Sequence, residues 1–188
     1  MILSSPMDER TVRSLTLGQI VYIRGTVVTG RDEMHMRALS LKKVPKELNG
    51  STLFHCGPIM VRENEKWKVI AAGPTTSARM NSMEPEMIRR FGIRAVIGKG
   101  GMDDGTLEAM KDAGCVYLAA IGGAAVSLAE GLNDVTGVEW EDLGMAEAMW
   151  IFDTERSGPF IVAMDANGNS IYKDVNAKVR ETIGKDHS

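Results

Sequence analysis

The chain has 188 residues, 44% of them hydrophobic and 25% charged, which suits one compact domain with its own core rather than a disordered segment. A net charge of −3 and a pI near 5.7 argue against the basic footprint that non-specific nucleic-acid or acidic-membrane binding needs, while leaving room for a local basic pocket. Two cysteines, Cys56 and Cys115, both in apolar runs, read as buried free thiols and are too few for a disulfide scaffold or a complete metal-cluster site.

The N-terminus, MILSSPMDER, lacks a basic n-region and turns acidic early, so no secretory signal is expected and the cytoplasm is the default location. Gln19 to Thr29 alternates Ile20, Tyr22 and Arg24 before Val27 and Val28, the pattern of a strand, with Gly25 as a bulge. Asp32 offers an N-cap for a helix to about Leu41, stopped by Pro45. Two β-like runs follow, Thr52 to Val61 and Lys66 to Ala72, parted by the polar Arg62–Asn64 stretch. The loop GPTTSARM leads into a helix over Met83 to Phe91, whose first turn tolerates Pro85.

Next come Ile93–Ile97 as a strand, the loop GKGGM and a helix from Asp103 to Ala113, then Cys115–Ile121 as a strand, GGAA and a helix to Leu132. The charge-free run from Ala113 to Ala129 is shorter than the roughly 20 residues of a membrane span and is broken by Gly122 and Gly123. GGAA at Gly122–Ala125 reads as close packing of a helix on its strand. Trp140, Trp150 and Phe152 read as core, and the 13 methionines as adaptable packing. PFIVAMDANGNSIY signals a hairpin around Asp165–Asn169, and the tail from Val175 reads as helical. With no internal repeat or long linker, residues 1–188 form a single mixed α/β domain, with parallel βαβ pairing in its middle.

Chemistry concentrates in glycine-bearing polar loops that follow apolar strands. In Gly73–Met80, two threonines and a serine follow Gly-Pro, and Arg79 lies four residues after Thr75. One helical turn there would align Thr75 with Arg79, and free backbone N–H groups would add affinity for a carboxylate or phosphate. An ordinary capped turn with a solvated arginine fits the same residues equally well. In Ile97–Met102, glycines flank Lys99, a mobile point charge for an anion. That loop is not a P-loop. It resembles the GxxG grip of a KH module, although Asp103, Asp104 and Glu108 follow where phosphates would lie. In Thr29–His35, Arg31 can fork onto a carboxylate and Asp32 can orient it, while a surface pairing of His35 with Asp32 is the commoner reading of that spacing. Together these loops make a plausible site for a small dicarboxylate, but spacing does not show that they converge.

The ordered set GRDEMH, LFHCGP, AAGPTTSARM, VIGKGGM, CVYLAAIGGAA, LGMAEAMW and FIVAMDANGNSIY resembles the β subunit, or C-terminal domain, of class I iron–sulfur fumarate hydratases and the related L-tartrate dehydratase β subunit. The resemblance runs from about Gly18 to Tyr172, and GPTTSARM together with IGKGGM is its most specific part. It implies a mixed β/β/α swivelling-type domain, with a central sheet and flanking helices, that packs on a separate α subunit in a hetero-oligomer and is inactive alone. The α subunit would hold a [4Fe–4S] cluster by three cysteines, leaving no metal on this chain. The reaction implied is reversible hydration of fumarate to (S)-malate, a lyase step of the tricarboxylic acid cycle. Carried over by motif, Thr75 would be the base at carbon, and Arg79, Lys99 and Arg31 would bind substrate carboxylates. Thr76, Ser77 and Gly100 would support them, with Asp32 and His35 as orienting groups. Gly30 and Met34 stand where the family often has alanine, which touches geometry more than chemistry. L-tartrate dehydration is the alternative within the family. A noncatalytic anion- or RNA-binding module using the GKGG loop is the alternative outside it.

Overall fold

A computed structural model describes residues 1–121, 129–132 and 134–173. In chain order it contains β1 (Ile2–Ser5), α1 (Glu9–Arg13), β2 (Ile20–Thr29), α2 (Asp32–Ser40), β3 (Thr52–Phe54), β4 (Ile59–Glu63), β5 (Lys66–Ala71), α3 (Glu84–Phe91), β6 (Ala95–Gly98), α4 (Asp104–Ala113), β7 (Val116–Ala120), β8 (Asp134–Glu139) and β9 (Met149–Met164). The main sheet runs β1-β2-β3-β6-β7-β9-β8, with β1, β2, β3, β6 and β7 parallel to their neighbours. β9 is antiparallel to β7 and to β8, and also pairs along β2 from Ile20↔Ile161 to Val28↔Ile151. That second pairing turns the sheet back on itself into a partial barrel, which covers edges that would otherwise be open to other chains. Register shifts on either side of Ile23, one of them ending at Gly25, help β2 make the bend. The chain is thus a mixed α/β domain with a central sheet and few helices.

Alternation along the strands builds two cores. Val27, Phe54, Ala95, Ile97, Val116, Leu118, Phe152, Phe160 and Val162 fill one cluster, joined by Trp150. The intervening Val28, Leu53, Val96, Tyr117, Ile151 and Ala163 turn to the other cluster, where Met34 and Ala38 of α2, Met87 and Ile88 of α3 and Met110 of α4 cover them. Successive strand residues therefore face opposite apolar layers, as in a sheet buried on both sides. Each fully buried aliphatic side chain contributes about 1.5–3 kcal/mol.

Several expectations are refined. Arg31 flanks α2 and Asp32 is its first helical residue, so Asp32 is not the cap. The run from Thr52 to Val61 is two strands broken at HCGP; β4 turns through Asn64 and Glu65, both at positive φ, into β5 as a separate hairpin. Asp103 is the cap of α4, accepting from the Thr106 N–H, and Gly114 ends that helix in the left-handed region. After Met164 the turn does form, through Asp165 and Asn169, but only an isolated Met164↔Ser170 bridge follows before Ile171 enters a helical turn. Trp150 and Phe152 are core, whereas Trp140 is partly buried at the second cluster. The readings placed on Gly122–Ala125, on most of the helix to Leu132 and on the tail from Val175 lie outside the described residues. No described helix is long and apolar enough to cross a membrane.

Candidate functional site

Because β2, β3 and β6 are parallel neighbours, the residues that follow them leave from one edge of the sheet, the carboxyl end where open α/β sheets place their ligands. Arg31 and Asp32 follow β2, His55 follows β3, and Lys99 and Gly100 follow β6. The Gly73–Met80 loop crosses that edge and is tied to two of these strand ends. The Thr75 N–H donates to the His55 carbonyl at 2.7 Å, and the Ser77 N–H donates to the Lys99 carbonyl at 3.1 Å. Thr76 forms an isolated bridge with Lys99. A short 3-10 turn, Ser77–Met80, then carries Arg79 back to α2, where its guanidinium meets Asp32 Oδ2 at 2.6 Å. Gly100 and Gly101, at φ of 82° and 73°, give the Lys99 loop a path that other residues rarely adopt.

Arg31 is held from the other side. Its Nε lies 3.2 Å from Glu147 Oε1, close enough for charge attraction but not aligned for a hydrogen bond. The other carboxylate oxygen of Glu147 accepts from the Glu33 N–H at 3.0 Å, so one acid serves both Arg31 and an amide in the first turn of α2.

Beneath this edge lies a charged network that sequence spacing did not reveal. His35, far from being a surface partner of Asp32, is wholly buried, and so are His55 and Glu84. Glu84 Oε2 accepts from both imidazoles, at 2.8 Å from His35 Nε2 and 3.0 Å from His55 Nε2. His35 Nδ1 faces the Arg31 carbonyl at 2.7 Å. His55 Nδ1 faces Ser77 Oγ at 2.9 Å, and Ser77 Oγ meets the Tyr117 hydroxyl, also at 2.9 Å. Ser77 can sit there because residue 98 is glycine: a Cβ at Gly98 would overlap Ser77 Oγ and lie 2.9 Å from the Tyr117 oxygen.

The partners decide the protons. Burial opposes a charge on His35, but the Glu84 carboxylate and the Arg31 carbonyl outweigh it and raise its pKa. Both ring nitrogens of His35 face acceptors, which suits an imidazolium. Burial lowers the pKa of His55 despite the pull of Glu84, with His35 adding repulsion. A neutral His55 then donates from Nε2 to Glu84 and accepts at Nδ1 from Ser77, whose oxygen accepts from Tyr117. Burial pushes the Glu84 carboxyl up, yet His55 and His35 together hold it at about 2. Burial likewise raises the Tyr117 hydroxyl, keeping it a donor.

The three buried groups His35, His55 and Glu84 are the set among the described residues that most nearly resembles a metal-ligand cluster. Glu84 Oε2 and the two Nε2 atoms are already engaged with one another at hydrogen-bond distance, whereas Glu84 Oε1 is buried without a partner among the described residues. The cysteines do not fit an iron–sulfur cluster. Cys56 and Cys115 lie in different cores, and burial raises the Cys56 thiol to about 12 and that of Cys115 well above its usual value.

All nine residues singled out by sequence therefore lie in this one region, linked through backbone pairing, the Arg79–Asp32 ion pair and the His35–Arg31 contact. Missed were Glu84, His55, Tyr117 and Glu147. LFHCGP held His55 in view, but an acid in MEPEM carries no local sign of its partners. The ordinary-cap reading of the loop loses ground, since Thr76 makes no side-chain cap bond and the Ser77 hydroxyl is engaged by His55 and Tyr117.

Cations and hydroxyls thus gather at the carboxyl edge of the sheet of a mixed α/β domain, over a buried network of two histidines and a carboxylate. The chain belongs to the fumarase C-terminal family: the family model described as "Fumarase C-terminus" matches residues 1–175. It is 44% identical over 184 residues to a putative L(+)-tartrate dehydratase subunit beta of Methanocaldococcus jannaschii, covering 95% of this chain and 94% of that one. It is 37% identical over 171 residues to the L(+)-tartrate dehydratase subunit beta of Escherichia coli K12, covering 90% of this chain and 85% of the relative. A putative class I fumarate hydratase of Geobacillus stearothermophilus is 42% identical over 184 residues, covering 97% of this chain but only 35% of that longer protein. These relatives are hydro-lyases by name, and iron–sulfur dependence is a property of the family.

Proposed function

We propose that the chain is the β subunit of a two-subunit hydro-lyase that reversibly hydrates fumarate to (S)-malate, active only with an α subunit that carries the [4Fe–4S] cluster. The observation that supports it is the gathering of Arg31, Thr75, Thr76, Arg79 and Lys99 at one sheet edge in a chain of this family. Arg79, Lys99 and Arg31 bind the substrate carboxylates. Removing a proton from the carbon next to a carboxylate builds charge on that carboxylate, and fixed cations stabilise this charge more than they stabilise the ground state. Thr75, half-buried and fixed by its N–H to the His55 carbonyl, is the group assigned to the carbon-bound proton. A lone threonine is a weak base, so Thr75 needs an activating neighbour, which the assembled complex supplies. Asp32 and Glu147 keep Arg79 and Arg31 extended toward the edge until substrate carboxylates compete for them.

L-tartrate dehydration is the second reading, favoured by the match along nearly the full length of two tartrate dehydratase β subunits. The chemistry is the same on a substrate with one more hydroxyl, a difference that a single pocket group can read. Anaerobic reconstitution with the α subunit, assaying both substrates in the complex and in each chain alone, tests the proposal. Fumarate turnover in the complex alone supports it, and turnover of tartrate instead selects the second reading. No association and no turnover refutes both and leaves the anion- or RNA-binding module of the Lys99 loop, which salt-dependent RNA binding then checks.

A further inference from the structure

The buried network has a feature that the cradle above it does not explain. Two lengths of chain form the candidate site, the start of α2 with Arg31 and Asp32, and the Gly73–Met80 loop with Thr75 and Arg79. Above the sheet they meet through the exposed Arg79–Asp32 ion pair. An exposed pair of this kind contributes little to rigidity, since water competes for both partners. Below the surface they meet in one atom. Glu84 Oε2 receives His35, whose other nitrogen holds the Arg31 carbonyl, and His55, whose other nitrogen holds Ser77. His55 also holds Thr75 directly, through its backbone carbonyl.

We infer that Glu84 is the positioning residue of this site: a single buried carboxylate that locks the Arg31 arm and the Thr75 arm of the cradle to one another. The inference rests on the proposed reading of those arms as the substrate cradle. The geometry supports a coupling role over one of simple core filling. An apolar residue would fill the same space, whereas Glu84 brings an ionised group into a dry site at a desolvation cost that only its paired, bonded histidines offset. Every link ends on a backbone or hydroxyl group of a site loop rather than on solvent. Glu84 also comes from α3, an element that contributes no group to the cradle itself, so its role is exercised wholly through His35 and His55. Catalytic groups must be held to within a fraction of an ångström, and a misplacement of about 1 Å costs about 100-fold in rate.

Glutamine at this position could keep both contacts: its amide oxygen, standing where Oε2 now lies, would accept from the Nε2–H of both imidazoles, although without the carboxylate's charge. Alanine keeps neither. The test therefore compares Glu84→Ala, Glu84→Gln, His35→Ala and His55→Ala. In the full-length chain, amide resonances of Arg31–Asp32 and of Thr75–Ser77 are followed by NMR. Glu84→Ala should shift both groups, His35→Ala mainly the first, and His55→Ala mainly the second. In the complex with the α subunit, Glu84→Ala should lower kcat by about 100-fold with a smaller change in KM, and Glu84→Gln should recover most of the loss. Glu84→Ala that leaves either arm unmoved, or that keeps kcat, overturns the inference. If Glu84→Ala does not fold, the two histidine variants still read the arms singly, and either arm staying in place under its own variant overturns it as well. If the wild-type complex turns over neither fumarate nor tartrate, the functional reading fails, while the resonances still decide whether Glu84 couples the loops.

Discussion

Replacing Gly98 by alanine tests whether the Ser77 contact organises the loop. The backbone at Gly98 lies outside the left-handed region, so the substitution carries no conformational penalty and its whole effect is steric. The new methyl would overlap Ser77 Oγ and press to 2.9 Å on the Tyr117 oxygen, which forces the serine off both partners. His55 Nδ1 and the Tyr117 hydroxyl, both buried, would then lack the hydrogen bond each now makes to Ser77 at 2.9 Å. At about 1–3 kcal/mol for each of the two stranded groups, the loss of stability should fall between about 2 and 6 kcal/mol. Ser77→Ala alone should likewise cost about 2–6 kcal/mol, because it strands the same two groups. Combined, the two changes remove the overlap at residue 77, because a Cβ at residue 98 sits 3.4 Å from the Cβ of residue 77, and only the 2.9 Å approach to the Tyr117 oxygen remains. Urea unfolding of the wild type, both single variants and the double variant closes the cycle. The double variant should be more stable than the sum of the singles predicts, by at least about 1 kcal/mol. Strict additivity, or a Gly98→Ala change within about 0.5 kcal/mol of wild type, would refute the steric and hydrogen-bond argument.

Three further outcomes are expected. His35, with its raised pKa, contributes stability that is fully present below about 6.5 and lost as pH rises through its folded value; His55, with its lowered pKa, makes stability fall as pH drops below about 6.5, and Glu84 adds a further loss as pH falls from the ordinary carboxylate range toward about 2. Thermal unfolding across pH should therefore peak near the ordinary histidine range, with His35→Asn removing the alkaline limb and His55→Asn the upper acid limb. In the reconstituted enzyme, Arg79→Ala or Lys99→Ala should each lower kcat/KM by about 2–4 kcal/mol in transition-state stabilisation, which steady-state kinetics measures. Asp32→Asn, which removes only the exposed partner of Arg79, should change stability by less than about 1 kcal/mol in urea unfolding.

What could be read along the chain follows from local rules. The apolar runs at Val27–Val28, Leu53–Phe54 and Ala95–Val96–Ile97 marked strands before any partner was known, whereas their alternate turning to two apolar layers was shown by the folded sheet. Asp103 and Gly114 mark the ends of α4 through bonds that span only a few residues. The three polar loops were visible for the same reason: glycine, hydroxyl and cation stand together in sequence. Pairing at a distance was not visible. The sequence by itself places no strand over residues 149–158, yet β9 runs for 16 residues through Gly158 and Pro159, paired with β2 and, past Pro159, with β7. The same limit hid the network: His55 and Glu84 lie 29 positions apart and His35 and Glu84 lie 49 apart. A histidine in a short helix and an acid before a proline look solvated until the parallel order of β2, β3 and β6 brings their elements into one dry layer. Local backbone preference chose the strands and the chemically equipped loops; burial among distant neighbours alone decided which ionisable groups carry charge and which loops they hold together.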